Sequence, residues 1–226
     1  MATSTVEDYL KTILLAEPRP AGLVGMGRIA EDLGVAPGTV TAMGKTLAQS
    51  GLVDYAPYSG VRLTEAGRRL ALHVLRRHRL VELFLVQVLG MSWHEVHQEA
   101  EELEHAVSDR LIERMDEMLG FPSVDPHGDP IPDAEGVVEQ PQLASLPGSR
   151  VGERMEVRRV GDQGVDFLRL LDRLGLVPGS PVTLVALDEV SDTVVLENAA
   201  GEQVKLGIRA AGKIFVGPAV GDPVSS

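Results

Sequence analysis

Residues 26–64, MGRIAEDLGVAPGTVTAMGKTLAQSGLVDYAPYSGVRLT, decide how this chain is read. MGRIAEDL is a short amphipathic stretch, and Gly34 suits the cap that ends such a helix. Pro37 falls in the first turn of a second helix, where its missing N–H costs nothing, and Val40, Met43 and Leu47 supply that helix with a core face. Two short helices joined by a tight Gly-containing turn are the helix-turn-helix pattern, which offers the start of its second helix to the DNA major groove. Residues 51–55 and 61–64 then alternate around Ala56-Pro57-Tyr58-Ser59-Gly60, the signature of a β-hairpin. A hairpin directly after a helix-turn-helix makes a winged helix. The residues expected to meet DNA are Arg28, Ala36, Pro37, Gly38, Thr39, Thr41, Lys45 and, at the hairpin tip, Tyr58 and Ser59.

Outward on the N-terminal side, TVEDYLKTILLA (5–16) places Val6, Tyr9, Leu10, Ile13 and Leu14 on one helical face, and Pro18 and Pro20 stop it. Asp8 stands early in that helix, either as a complement to the helix dipole or as a functional acid. On the C-terminal side a long helix runs from about Thr64 to Leu89 and carries His73, His78 and Glu82, the last two at i, i+4 on one face. Next comes SWHEVHQEAEELEHAVSDRLIERMDEMLG, residues 92–120. Ser92 with Glu95 reads as a capping box. If the helix runs unbroken, His97, Glu101, Glu104 and His105 project from one face. Carboxylates crowded beside imidazoles repel unless a cation or protons intervene, so the spacing asks for a metal. Ser108 starts a further helix with Leu111, Met115, Met118 and Leu119 on its apolar face, which suits dimerisation.

The chain has 226 residues and a formal net charge of −12, but the charge is uneven. Residues 1–72 carry seven basic and seven acidic side chains, residues 73–120 five and ten, and residues 121–226 nine and sixteen. The neutral first segment tolerates a local positive surface despite the acidic total. Cysteine is absent, which excludes disulfides and thiolate metal sites and suits a cytoplasmic protein. Neither a signal peptide nor a membrane span is legible. After FPSVDPHGDPIP (121–132) and a Pro- and Gly-containing linker, residues from 151 onward read as short strands around one helical segment, QGVDFLRLLDRLG, and suggest a small barrel.

The strings VEDYLKTI, RIAEDLGVAPGTV, GLVDYAPYSGVRLTEAGRRLA, RRHRLVELFL, WHEVHQEAEELEHAVSDRL and FPSVDPHGDPIP, in this order, closely resemble the diphtheria-toxin-repressor family of metal-dependent transcriptional regulators. The resemblance implies a mainly α fold with a β module: a winged helix-turn-helix over 1–72, a helical metal-binding and dimerisation domain over 73–138, a linker at 139–150, and an SH3-like small β-barrel over 151–226. It implies a primary metal site of Asp8, Glu101, Glu104 and His105. It also implies an ancillary site of His78, Glu82 and His97, completed by Gln163 and Asp166 from the barrel. Iron-sensing members carry Met and Cys where this chain has Asp8 and Glu101. Oxygen donors in place of sulfur favour manganese. Lys11 stands where small manganese regulators carry a second-metal Glu, so two separated sites are expected.

The expected molecule is therefore a homodimeric repressor that binds a palindromic double-stranded operator when Mn(II) occupies two sites per chain, with Fe(II), Co(II) or Zn(II) able to bind in vitro. It would control metal homeostasis through uptake genes. The alternatives are an iron-dependent regulator of the same family, a winged-helix regulator answering to an organic ligand, and a metal-dependent hydrolase. No motif supplies the general base a hydrolase needs outside the ligand set.

Overall fold

The computed structural model describes residues 3–18, 22–139 and 141–219; Pro20, expected to help stop the first helix, lies outside them. The chain divides into two compact units, one comprising 1–78, 103–107 and 132–138, the other 79–102, 108–131 and 139–226.

The first unit holds α1 (Ser4–Ala16), α2 (Met26–Leu33), α3 (Pro37–Gln49), β1 (Val53–Ala56), β2 (Gly60–Leu63) and the first part of α4 (Glu65–Gln87). Thr3 caps α1 by accepting the Val6 N–H, and Gly34 ends α2 in the left-handed conformation that its sequence position predicts. β1 and β2 pair antiparallel from Val53↔Leu63 to Ala56↔Gly60, and Val24 adds a backbone bridge to Val61. Gly60 is obligatory there: its φ is 138°, and a Cβ would lie 2.3 Å from the Val24 carbonyl oxygen. Tyr9, Leu10 and Ile13 of α1 share one core with Ile29, Val40, Leu47, Val53, Val61 and Leu63. The first helix is thus part of the same packed body as the recognition helix α3.

The second unit holds the end of α4, most of α5 (Val96–Leu103), α6 (Asp109–Met118) and the β module. That module contains β3 (Ala144–Ser145), β4 (Arg154–Val160), α7 (Val165–Leu174), β5 (Pro181–Asp188), β6 (Thr193–Glu197), β7 (Gln203–Gly207), α8 (Ile208–Ala211) and β8 (Ile214–Pro218). Its strands form an antiparallel sheet in the order β3-β8-β4-β5-β6-β7, with bulges in β4 and β5 that sharpen its curl. Val157, Leu168, Leu171, Leu184, Leu196 and Ile214 fill its core, and Trp93 packs against it. β3 lies in the stretch read as linker: Ala144 and Ser145 pair with Val216 and Phe215.

Residues 92–107 depart from the unbroken helix expected there, whereas the further helix expected from Ser108 is present. Ser92 accepts the Glu95 N–H in a turn rather than capping a helix, and α5 begins only at Val96. The helix stops at Leu103, Glu104–Val107 is non-helical, and Ser108 takes the N-cap position of α6. Glu104 and His105 therefore leave the face that carries His97 and Glu101. Among the described residues no helix is long and apolar enough to cross a membrane.

Candidate metal centres and DNA-contact surface

The first cluster belongs to the first unit. Asp8 and Lys11, three apart on α1, share a face, and the turn after α5 brings Glu104 and His105 to it. Asp8, Glu104 and His105 each offer a ligand atom, all within 4.8 Å of one another. His105 Nε2 is 2.8 Å from Asp8 Oδ1 and 3.5 Å from Glu104 Oε1, while Nδ1 is 2.7 Å from Glu7 Oε2. Burial pulls the His105 pKa down, but the Glu7 hydrogen bond and the charges of Asp8 and Glu104 outweigh it, and the net shift is upward. Glu104 is fully buried. Its Oε1 receives the Lys11 ammonium at 2.6 Å, and its Oε2 lies 2.5 Å from His78 Nδ1. His78, implied for the ancillary set, thus also meets this cluster through its Nδ1.

The second cluster is Glu82, Asp125 and His127, again within 4.8 Å of one another and all buried. Glu82 comes from α4. The other two come from a loop pinched by the Val124↔Pro130 bridge, in which Asp125 Oδ1 accepts the N–H groups of His127 and Asp129 at 2.8 and 2.9 Å. β4 fixes the loop from below: Val160 N–H donates to the His127 carbonyl at 2.9 Å. Gly128 has φ +83°, and a Cβ would sit 1.9 Å from the Arg158 carbonyl oxygen, so the loop can lie this close only as glycine.

His127 Nε2 is 2.9 Å from the Trp93 carbonyl, which can only accept, so the ring proton sits there. Nδ1 then presents a lone pair 3.8 Å from Glu82 Oε2 and 4.0 Å from Asp125 Oδ1, and it makes no hydrogen bond among the described residues. Burial is the dominant effect on the ring and lowers its pKa, which keeps it neutral. Burial, followed by the charges of Asp129 and Glu82, pushes Asp125 well above the usual carboxylate range, although Arg79 Nε stands 3.5 Å from its other oxygen. A neutral imidazole oriented by a carbonyl, with its lone pair aimed between buried carboxylates, is the donor arrangement a divalent cation needs. The residues of both clusters fit such an ion.

The remaining expected ligands lie around these centres. Glu82 Oε1 is 3.1 Å from His97 Nδ1, and His97 Nε2 is 3.7 Å from Glu101 Oε1. Glu101, implied for the primary site, thus stands beside His97 in the second unit. Gln163 donates to Asp129 Oδ2 at 3.3 Å and so touches only the rim of the loop. Asp166 is exposed in the first turn of α7 and joins neither cluster, because the helix starts at Val165 and turns it outward. Sequence reasoning passed over Glu7, Asp125 and His127. The D-x-H spacing inside a Pro/Gly loop was the available signal for the last two.

Ala36, Pro37, Gly38 and Thr39 are exposed at the start of α3, as is Lys45 farther along it. Thr41 is half-buried and donates its hydroxyl to the Pro37 carbonyl at 3.0 Å. Arg28 is exposed and engages Asp32 at 2.8 Å. Tyr58 and Ser59 stand in solvent at the hairpin tip, Tyr58 with φ 63°.

Comparison with known proteins accounts for most of the chain. Residues 1–61 match the iron dependent repressor N-terminal DNA binding domain, residues 64–133 the iron dependent repressor metal binding and dimerisation domain, and residues 145–218 the FeoA domain. The iron-dependent repressor IdeR of Mycobacterium tuberculosis (strain ATCC 25618 / H37Rv) is 36% identical over 207 residues, covering 85% of this chain and 88% of that protein. The diphtheria toxin repressor of Corynebacterium diphtheriae (strain ATCC 700971 / NCTC 13129 / Biotype gravis) is 36% identical over 148 residues, 65% of each chain. Among solved structures, a manganese-dependent transcriptional repressor in complex with manganese matches with a TM-score of 0.85 and 43% identity, over 93% of this chain and 98% of that one. ScaR with bound Cd2+ matches with a TM-score of 0.78 and 33% identity, over 94% and 99%. Winged helix, helical segment and β module agree with these matches: the chain belongs to the iron-dependent (diphtheria toxin) repressor family, and it is a metal-dependent, DNA-binding, homodimeric transcriptional repressor rather than an enzyme.

Proposed function

We propose that this repressor is activated by Mn(II) and that each chain takes up two ions, one at Asp8, Glu104 and His105 and one at Glu82, Asp125 and His127. The observation that carries this is the donor set. Each cluster offers carboxylate oxygens and one imidazole nitrogen, with no sulfur. Hard oxygen donors suit Mn(II), whereas thiolate and thioether donors shift preference towards softer ions. The manganese-dependent repressor at 43% identity supports the same choice.

A divalent ion would add positive charge among the carboxylates of each cluster. The chain does the rest. Asp8 directly precedes Tyr9 and Leu10 on α1, and these with Ile13 are packed with α3. Drawing Asp8 to Glu104 and His105 therefore fixes the winged helix as a body. Glu7, hydrogen-bonded to His105 Nδ1, orients that ring so that Nε2 faces Asp8. Less ordering is then left to be done on DNA, and operator affinity rises. Exposed Val88, Leu89, Leu111 and Met118 form the proposed dimer surface. Two-fold symmetry then sets the recognition helices on the halves of a palindromic operator, with Ala36 to Thr39, Thr41 and Lys45 towards the groove and Arg28, Tyr58 and Ser59 towards the backbone.

The test is a fluorescence-anisotropy titration on DNA from upstream of the protein's own gene, with Mn(II), Fe(II), Co(II), Zn(II) or chelator. Mn(II) should raise affinity by at least about tenfold over chelator, the scale of an ordinary coupling free energy. Equal binding in chelator removes the switch. A stronger response to Fe(II) at matched free-ion concentration makes the protein an iron regulator.

A further inference from the structure

Lysine is rarely buried without a partner. Lys11 is only 5% exposed, although it belongs to a short helix with a solvent face. Its ammonium ends on Glu104 Oε1 at 2.6 Å, and the Glu104 side chain is itself wholly buried. The same oxygen lies 3.5 Å from His105 Nε2, the atom that also meets Asp8. The second Glu104 oxygen is engaged by His78 at 2.5 Å. Both oxygens of the central carboxylate are thus committed within the chain.

We infer that Lys11 is a resident cation of the first centre, a positioning and specificity-determining residue that competes with the incoming metal for Glu104. The inference rests on the reading of Asp8, Glu104 and His105 as a metal site. Two consequences of opposite sign follow from one contact. In the metal-free protein Lys11 compensates a buried carboxylate and holds α1 to the turn bearing Glu104, so its removal deprives one oxygen of that carboxylate of its ammonium partner and leaves His78 on the other. Towards metal, the fixed positive charge opposes a divalent ion sharing the same oxygen, so its removal strengthens binding. Lys11 therefore raises the metal concentration at which the repressor responds, and it disfavours a second ion beside the first.

The experiment uses the full chain and two variants, Lys11→Met, of similar length without charge, and Lys11→Arg, which keeps the charge. Thermal melting in chelator reads the first consequence. Calorimetric and EPR titration with Mn(II) reads the second, with Asp8→Ala identifying the transition that belongs to this centre. Lys11→Met should melt lower than wild type in chelator, bind Mn(II) about tenfold tighter, and show a larger Mn(II)-induced rise in melting temperature. Lys11→Arg should change affinity less than Lys11→Met. If Lys11→Met barely folds without metal, the size of its Mn(II)-induced rise still reports the sign. An unchanged or weaker Mn(II) affinity in Lys11→Met, or a greater tightening in Lys11→Arg, overturns the role of Lys11. Absence in wild type of any Asp8-dependent Mn(II) transition instead overturns the reading of the site, while the melting difference in chelator still tests the Lys11–Glu104 contact.

Discussion

The two donor clusters solve one electrostatic problem in different ways. The Asp8 cluster is half-open and internally compensated: Lys11 sits on Glu104, and His105, its pKa raised, lies between Glu7 and Asp8. The Glu82 cluster is sealed. Its histidine is held neutral, its aspartate is pushed towards protonation, and Arg79 reaches only one edge. A compensated, accessible site can gain and lose an ion without the surrounding fold coming apart, which is what a sensor requires. A sealed one that Arg79 meets at a single edge would behave as a structural clamp, since buried carboxylates are costly until a cation arrives.

The largest expected effect comes from deleting one ligand from each cluster. Asp8→Ala should abolish the metal-stimulated rise in operator affinity and return it to the value in chelator. His127→Ala should remove one ion per chain and lower thermal stability, yet leave the DNA response within about tenfold. Stoichiometry by calorimetry and affinity by anisotropy check both. Equal loss of DNA binding in the two variants would erase the division of labour.

A smaller effect should follow from Glu7. Glu7→Ala removes the acceptor that orients His105, and it should weaken Mn(II) binding at the first centre by about tenfold, the scale for groups that hold a metal-ligating histidine. Glu7→Gln, which can still accept a hydrogen bond, should recover much of it. Titration by EPR separates the two, and identical losses would mean that Glu7 acts through charge alone.

The smallest effect concerns pH and the sealed cluster. The Asp125 pKa is raised in the fold, so the folded chain binds that proton more tightly than the unfolded one. Metal-free stability contributed by this group is present at low pH and is lost as pH rises from the ordinary 3.8 through the raised value. Asp125→Asn should therefore melt roughly 2–4 °C higher than wild type in chelator at pH 7, with the gap closing towards pH 4. With Mn(II) the order should reverse, because the amide is the poorer ligand. A variant that melts below wild type in chelator at pH 7 would show the clamp to be compensated after all.

The winged helix was legible because its determinants are local: Gly34 for the left-handed cap, Pro37 for the first turn, and alternation around residues 56–60 for the hairpin. Three of the four residues implied for the primary centre come together for a related reason, since the resemblance supplied their pairing across the chain. The rest was hidden by geometry that periodicity does not carry. Nothing in the composition of residues 96–107 announces that α5 stops at Leu103, so Glu101 was grouped with Glu104 although the break sends them to different neighbours. Asp125 and His127 lie in a loop whose Pro and Gly residues speak only of turning. What brings them together beside Glu82 is the docking of that loop on β4 through Gly128 and the Val160–His127 bond. Glu7 looked like an ordinary acid in a helix's first turn, and only its partner His105 distinguishes it.

The contact between His127 and Trp93 has a further use. Trp93 is the single tryptophan of the chain, its ring centroid is 5.6 Å from that of His127, and its carbonyl fixes the histidine's proton. Indole emission excited at the red edge of the absorption band therefore originates beside the sealed cluster and nowhere else. The molecule carries its own optical gauge: a change in emission reports events at His127, while occupancy at Asp8 can be followed by other means in the same cuvette, without a label.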